Sequence, residues 1–350
     1  MITKQREPDG FLRNLPPFGC TNRLALMSEA VSIPDAQFQA LVRKKYAGNP
    51  QAMTALGAQL VVGREAPFAP VDGAALIAEA AQQGDADAWR YLAVLAAAGV
   101  GRAQSWSDAF SALARAAHLG DVHAARQLDL LEATQCGGPD AARDWLSSAR
   151  ARVLNQSPLF VAYADFLTPA LCAHLIERAR PKLVPARVND ARGAGLKLDA
   201  MRTNTGAVFS LIETDLVIQL IRARIARTAG VAANALEPAE VLHYSVGETY
   251  KPHVDFFHPT LPGFSEEMRR KGQRIKTCLV YLNDDLAGGE TEFPKLDIRF
   301  RGRAGEALIF DNVTANGAGD MNTVHAGLPP THGEKWLLSQ WIRSKPQQVA

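Results

Sequence analysis

His253-Val254-Asp255 places an imidazole and a carboxylate two residues apart, and His325 offers a second imidazole further on. At positions i and i+2 of a strand, two side chains point to the same face. A histidine from a distant strand would complete a two-histidine, one-carboxylate set. Nitrogen and oxygen donors of this kind suit Fe(II), and three ligands leave coordination positions open for O₂ and a co-substrate. Lys335 follows His325 by ten residues. A buried lysine is a natural partner for an acidic co-substrate, because a carboxylate out of water needs a cation. His258 and His332 are the competing imidazoles. His258 is out of phase with His253 on a strand face, and His332 sits among proline and glycine, so both are left out of the site.

The elements that would carry these residues are short strands broken by Gly, Asn and Pro turns. They are expected at 240–246, 277–283, 290–293, 297–300, 306–310 and 335–342. Such a series points to a double-sheet β architecture. In the last strand, Lys335, Leu337, Ser339 and Trp341 share one face. Upstream, 160–167 reads as a strand. Thr168-Pro169 then opens a helix with Thr as N-cap and Pro at the first helical position, and Leu171, Leu175 and Ile176 face the sheet. A second helix is expected at 215–228. The segment 256–275 reads as a long loop of lid type.

The chain changes character near residue 155. Before it, Gly48-Asn49, Gly84-Asp85 and Gly120-Asp121 recur at a spacing of 36, each followed by alanines and by leucines at helical intervals. Such a period means stacked helix pairs, with Gly closing one helix and Asn or Asp capping the next. A short helix from Asp140 to Arg150 is expected to end the array.

Both halves resemble known families. Residues 40–133 resemble Sel1-like repeats, relatives of tetratricopeptide repeats. That resemblance implies a concave surface for a protein partner. Residues 158–343 resemble the prolyl 4-hydroxylase family. The motifs fall in its order: Tyr244 and the glycine turn before His253-Val254-Asp255, then Leu279-Val280-Tyr281-Leu282-Asn283, Gly288-Gly289-Glu290-Thr291, Gly305-Glu306, His325-Ala326-Gly327 and Lys335-Trp336. Arg202-Thr203 matches its upstream position, with Asn204 where serine is usual.

The resemblance implies a distorted double-stranded β-helix, or jelly roll, with flanking helices. It also implies a dioxygenase that uses Fe(II), 2-oxoglutarate and O₂, with L-ascorbate as assistant. His253, Asp255 and His325 would be metal ligands. Lys335, Tyr244 and Thr291 would hold 2-oxoglutarate, and Arg202 would face the substrate. Trp341 walls the pocket or packs in the core.

The expected organisation is an N-terminal extension (1–35), an all-α repeat region with linker helix (36–155) and a β-rich oxygenase domain (156–345). The expected substrate is a prolyl residue in a protein or peptide. Two alternatives stay open: the same chemistry on a free amino acid or small metabolite, and a repeat-based binding adaptor with the oxygenase half as sensor. The remaining chemistry is mostly exclusion. Thirty-eight basic against 36 acidic residues give a formal charge of +2, no footprint for bulk nucleic-acid binding. Cys20, Cys136, Cys172 and Cys278 show no metal or disulfide spacing. No apolar run suits a signal or a membrane span, so a cytoplasmic protein without membrane contact is expected.

Overall fold

Glycine at the end of a helix and a carboxylate or amide at the start of the next set the rhythm of the first half. In the computed structural model, which describes residues 36–147, 149–189 and 196–348, this half comprises α1 (Ala36–Tyr46), α2 (Pro50–Val62), α3 (Pro70–Gln82), α4 (Ala86–Ala98), α5 (Trp106–His118), α6 (Val122–Ala133) and α7 (Pro139–Leu146). The N-terminal extension 1–35 and the Arg192–Gly195 turn lie outside the described residues. Gly48, Gly84 and Gly120 take φ of 73°, 90° and 90°, a left-handed conformation that costs glycine little. Asn49, Asp85 and Asp121 then accept hydrogen bonds from Ala52, Asp87 and Ala124 N–H groups and cap α2, α4 and α6. Asp85 also accepts the Thr54 hydroxyl at 2.5 Å. Helices α2 and α3 cross so closely that a Cβ on Gly57 would meet the Gly73 carbonyl oxygen at 2.7 Å. These are stacked helix pairs that repeat at the 36-residue spacing of the sequence. Packing divides the described residues into two units: those of 36–142 with 210–219, and those of 143–209 with 220–348.

The second unit is built on strands whose apolar residues alternate or run continuously, depending on which faces are covered. The strands used below are β1 (Arg150–Gln156), β2 (Leu159–Ala164), β3 (Val184–Pro185), β4 (Thr205–Phe209), β5 (Ala239–Tyr244), β6 (Tyr250–His253), β7 (Arg274–Tyr281), β8 (Thr291–Phe293), β9 (Ile298–Phe300), β10 (Ala307–Asp311), β11 (His325–Gly327) and β12 (Lys335–Arg343). Eight form the major sheet in the order β1-β2-β10-β7-β12-β5-β4-β3, and four form a minor sheet in the order β9-β8-β11-β6. Leu242, Tyr244, Leu279, Leu308, Phe310 and Leu337 of the major sheet meet Phe293 and Phe300 of the minor sheet in one buried cluster. This is the double-sheet architecture expected from the strand pattern, in the jelly-roll form that the resemblance implies. Helix α8 (Pro169–Ala179) is capped by the Thr168 hydroxyl and buries Leu171 and Leu175, while α9 spans Leu216–Ala229.

Three local expectations are corrected. The linker helix stops at Leu146, because Arg150 already begins β1, which pairs with β2 from Arg150↔Ala164 onward. β1 is largely exposed and carries no apolar alternation to betray it. The 256–275 segment is not a loop throughout: Pro262–Lys271 forms α10, supported by ion pairs Glu266–Arg269 and Glu267–Lys271 at helical spacing. Asp255 lies just beyond the end of β6, so strand alternation alone does not aim it at the site.

Candidate active site

Strand pairing brings the two histidines together. β6 and β11 are antiparallel neighbours with His253 directly opposite His325. Their rings lie 4.3 Å apart, centroid to centroid. Asp255 closes the triangle: its Oδ1 is 3.8 Å from His253 Nε2 and its Oδ2 is 3.7 Å from His325 Nε2. One donor atom from each of the three residues lies within 4.8 Å of the others. That is the separation expected of atoms meant to share an ion rather than one another.

The ring tautomers agree. His253 Nδ1 lies 2.8 Å from the Lys251 carbonyl oxygen, and His325 Nδ1 lies 2.9 Å from that of Thr323. A carbonyl only accepts, so each Nδ1 carries a proton and Nε2 is the nitrogen turned to the centre, the one a metal would meet. Burial, and then the neighbouring His325, push His253 down to about 3, which keeps the imidazole neutral. Burial alone would raise the Asp255 carboxyl; His325, His253, Arg274 and the Thr277 hydrogen bond together hold it below the usual carboxylate range. A divalent cation takes up imidazole in its neutral form and carboxylate in its ionised form. Phe293 and Phe310 pack on the His325 ring, with centroids 5.3 Å away in both cases. Tyr250 stacks on His253 at 3.4 Å.

The neighbouring wall of the same cavity belongs to the major sheet. Lys335, Leu337, Ser339 and Trp341, one face of β12, line the cavity together with Tyr244, Thr291 and the metal triad. Lys335 is 1% exposed, and its ammonium stands 5.2 Å and 5.3 Å from the ring centres of Tyr244 and Tyr281. Among the described residues no carboxylate lies within ion-pair distance of it. Burial therefore pushes it down to about 7, against the upward pull of Glu290. An ammonium in that position lacks a counter-anion, and the cavity it faces is where one would bind. Tyr244 is opposite Lys335 in the β5–β12 pairing and lies close to Gly327 of β11, where an added Cβ would sit 3.3 Å from its hydroxyl.

Thr291 is placed less simply. Its Oγ1 is 2.7 Å from Tyr281 Oη, and Tyr281 gives its one phenolic hydrogen to the Phe300 carbonyl. In this arrangement Thr291 donates to Tyr281, and it offers a donor to a bound carboxylate only when that chain of hydrogen bonds reverses. Arg202 is buried at the rim and already engaged: it donates to Glu240 at 3.0 Å, to Asn204 at 3.1 Å and to the Arg187 carbonyl at 3.0 Å. Its guanidinium lies 4.9 Å from the Tyr250 ring centre. His258 and His332 are exposed and away from the cluster, as the sequence reading has them.

Tyr250, Glu237, Arg274 and Arg343, to which the motif reading gave no role in the site, also face this region. Tyr250, Arg202 and Trp341 belong both to the cavity and to an adjoining groove lined further by Glu237, Arg274 and Arg343. Arg274 donates to Glu237 at 2.7 and 2.9 Å and lies 3.9 Å above the Trp341 ring. Trp341 Nε1 is buried with no hydrogen-bond partner among the described residues. Thr277 and Asn312, behind Asp255, were also missed. Nothing in the local sequence marks them, since Thr277 lies 22 residues from the carboxylate it touches and Asn312 a further 35 from Thr277.

Residues 239–343 match the 2OG-Fe(II) oxygenase superfamily. Among curated relatives, Prolyl 4-hydroxylase 1 of Arabidopsis thaliana is 34% identical over 215 residues, 57% of this chain and 74% of that protein. Similar solved structures include the viral collagen prolyl hydroxylase of Paramecium Bursaria Chlorella virus-1 in its 2OG complex (26% identity, 53% of this chain and 96% of that one, TM-score 0.42). A Sel1 repeat protein from Oxalobacter formigenes is 30% identical over 28% of this chain and 29% of its own, with a TM-score of 0.26.

Proposed function

Because this chain belongs to the prolyl 4-hydroxylase family of 2-oxoglutarate- and Fe(II)-dependent dioxygenases, we propose that it hydroxylates a prolyl residue in a protein or peptide, releasing succinate and CO₂. The observation that carries the 2-oxoglutarate part of this reading is the buried Lys335 ammonium facing the cavity of the His253–Asp255–His325 cluster. The donor set fits Fe(II): two imidazoles and one carboxylate, with no thiolate in the cluster.

When bound, Fe(II) supplies the oxidising chemistry, in which 2-oxoglutarate is decarboxylated with O₂ and one oxygen atom enters a substrate C–H bond. The protein's own residues do the rest. His253, Asp255 and His325 would hold the ion. Lys335 would pair with the far carboxylate of 2-oxoglutarate, and Tyr244 would add a hydroxyl donor beside it. Leu242, Leu279 and Leu337 line the cavity with apolar surface and limit the water that shares it. The groove beyond Tyr250 and Trp341 gives a peptide a path to the same cavity. L-Ascorbate belongs to the proposal as the reductant that restores oxidised iron.

A protein substrate is supported by the helical repeats, which offer a second surface to hold a partner. The same chemistry on a free amino acid or metabolite is the competing reading, and a repeat-based adaptor is the other. The assay that separates them is succinate release from the whole chain with Fe(II), 2-oxoglutarate and ascorbate. Stimulation by proline-containing peptides and not by free proline, with peptide gaining the mass of one oxygen atom, is the expected result. Stimulation by free proline alone would overturn the peptide reading.

A further inference from the structure

Behind the metal cluster lies a short chain of buried side chains that the functional reading leaves unused. Thr277 sits on β7 in the major sheet, fully buried, while the histidines belong to the minor sheet. Its Oγ1 is 2.6 Å from Asp255 Oδ2 and 2.8 Å from Asn312 Nδ2. The directions of these two bonds are forced. Asn312 Nδ2 carries only hydrogens, so Thr277 accepts from it, and Thr277's one hydroxyl hydrogen goes to Asp255. The opposite amide orientation would compete for that hydrogen and leave Thr277 Oγ1 against a bare oxygen at 2.6 or 2.8 Å. Asn312 is itself pinned on both sides of its backbone: its N–H donates to Ile275 O at 2.8 Å, and its carbonyl accepts from Asp320 N–H at 3.0 Å. It is also fully buried.

Asp255 needs such a tie. It stands past the end of β6, outside the pairing that fixes His253. Without an anchor its carboxylate is free to rotate about two side-chain torsions. Among the described residues Oδ1 accepts no hydrogen bond, whereas Oδ2 takes the charge-assisted bond from Thr277, the stronger kind. We propose that Thr277, oriented by Asn312, is a positioning residue: it fastens Oδ2 to the major sheet and thereby presents Oδ1 as the one carboxylate oxygen that the metal meets. A monodentate carboxylate leaves the remaining coordination positions to 2-oxoglutarate and O₂. The inference rests on the iron-site reading above.

The test uses the whole chain and Co(II), titrated without oxygen or co-substrate. Thr277→Val keeps the shape and removes the hydroxyl. Its Co(II) dissociation constant is expected to rise about 10–100-fold, the usual effect of losing a group that orients a metal ligand. Its visible d–d bands are expected to shift, with Thr277→Ser restoring both. The melting temperature, read alongside, separates folding from positioning. Should the valine variant not fold, Asn312→Ala leaves Thr277 in place and removes what aims its hydroxyl; a weaker Co(II) affinity is again expected. A folded variant of either kind that binds Co(II) with the parent's affinity and spectrum overturns the proposal alone. A parent chain that takes up no Co(II) overturns the metal-site reading and this inference with it.

Discussion

Replacing Lys335 with methionine keeps the length and apolar stem of the side chain and removes only the charge. Lys335 is 1% exposed and has no carboxylate within ion-pair distance among the described residues. The protein therefore bears the cost of desolvating the ammonium before the co-substrate arrives, which is why its pKa falls to about 7. Removing one partner of a buried, hydrogen-bonded charge pair costs about 2–5 kcal/mol. Taking about 3 kcal/mol, and 1.4 kcal/mol per factor of ten, gives roughly a 100-fold rise in the KM for 2-oxoglutarate. The turnover number at saturating co-substrate should fall much less, because Lys335 is not in the metal cluster.

The sign of the pH dependence follows from the same residue. Lys335's pKa is depressed, so in the free protein the ammonium dominates below about 7 and the neutral amine above it. Binding the carboxylate requires the ammonium. The KM for 2-oxoglutarate should thus rise with pH above about 7, approaching tenfold per pH unit, and be nearly flat below. The assay is succinate release against 2-oxoglutarate concentration from pH 6 to 9, for parent and Lys335→Met. A methionine variant with the parent's KM at pH 7, or a parent KM that does not move with pH, would refute the assignment of Lys335 as the carboxylate anchor.

Further outcomes follow from the same structure. Fe(II) with 2-oxoglutarate in the absence of oxygen should give a weak visible charge-transfer band, and His253→Ala should abolish it; a band that survives removes His253 from the ligand set. Saturating metal should raise the thermal midpoint of the parent, since an ion bound only by the folded state stabilises it, and chelation should reverse the gain; a midpoint indifferent to chelator would contradict the cluster's role. Asp85→Ala removes both the cap of α4 and the acceptor of the Thr54 hydroxyl. Loss of about 1–2 kcal/mol is expected in denaturant unfolding, and a change below the error of that measurement would show that the cap is dispensable. Gly57→Ala forces a Cβ to within 2.7 Å of the Gly73 carbonyl oxygen. It should cost about 1–3 kcal/mol, and unchanged stability would mean the helices separate freely there.

Much of the site was legible because the motifs are local. His253 and Asp255 are two residues apart, and β12 reads as an alternating strand whose Lys335, Leu337, Ser339 and Trp341 do line one cavity. The repeat spacing was legible because capping needs particular residue types at particular places, and Gly84-Asp85 and Gly120-Asp121 meet both needs. What stayed hidden was long-range or patternless. Thr277 reaches Asp255 across 22 residues through sheet pairing. β1 is held by backbone bonds to β2 and shows an exposed, polar face, so no periodicity announces it. Helix α10 carried a signal that was not used: Glu266–Arg269 and Glu267–Lys271 are spaced as helical ion pairs, in a segment read as a loop because it is long and charged.

The histidines hang from the four-stranded sheet, whereas Lys335 and Tyr244 hang from the eight-stranded one. The cavity between them therefore works as a caliper. Under the proposed binding a dicarboxylate would span from one jaw to the other, and the aromatic packing of Phe293 against Phe160 and Phe310 sets the opening. An analogue one methylene shorter would touch one jaw and miss the other, and one a methylene longer would have to buckle between them. Core substitutions at those rings, far from any reacting atom, would retune which chain length is accepted.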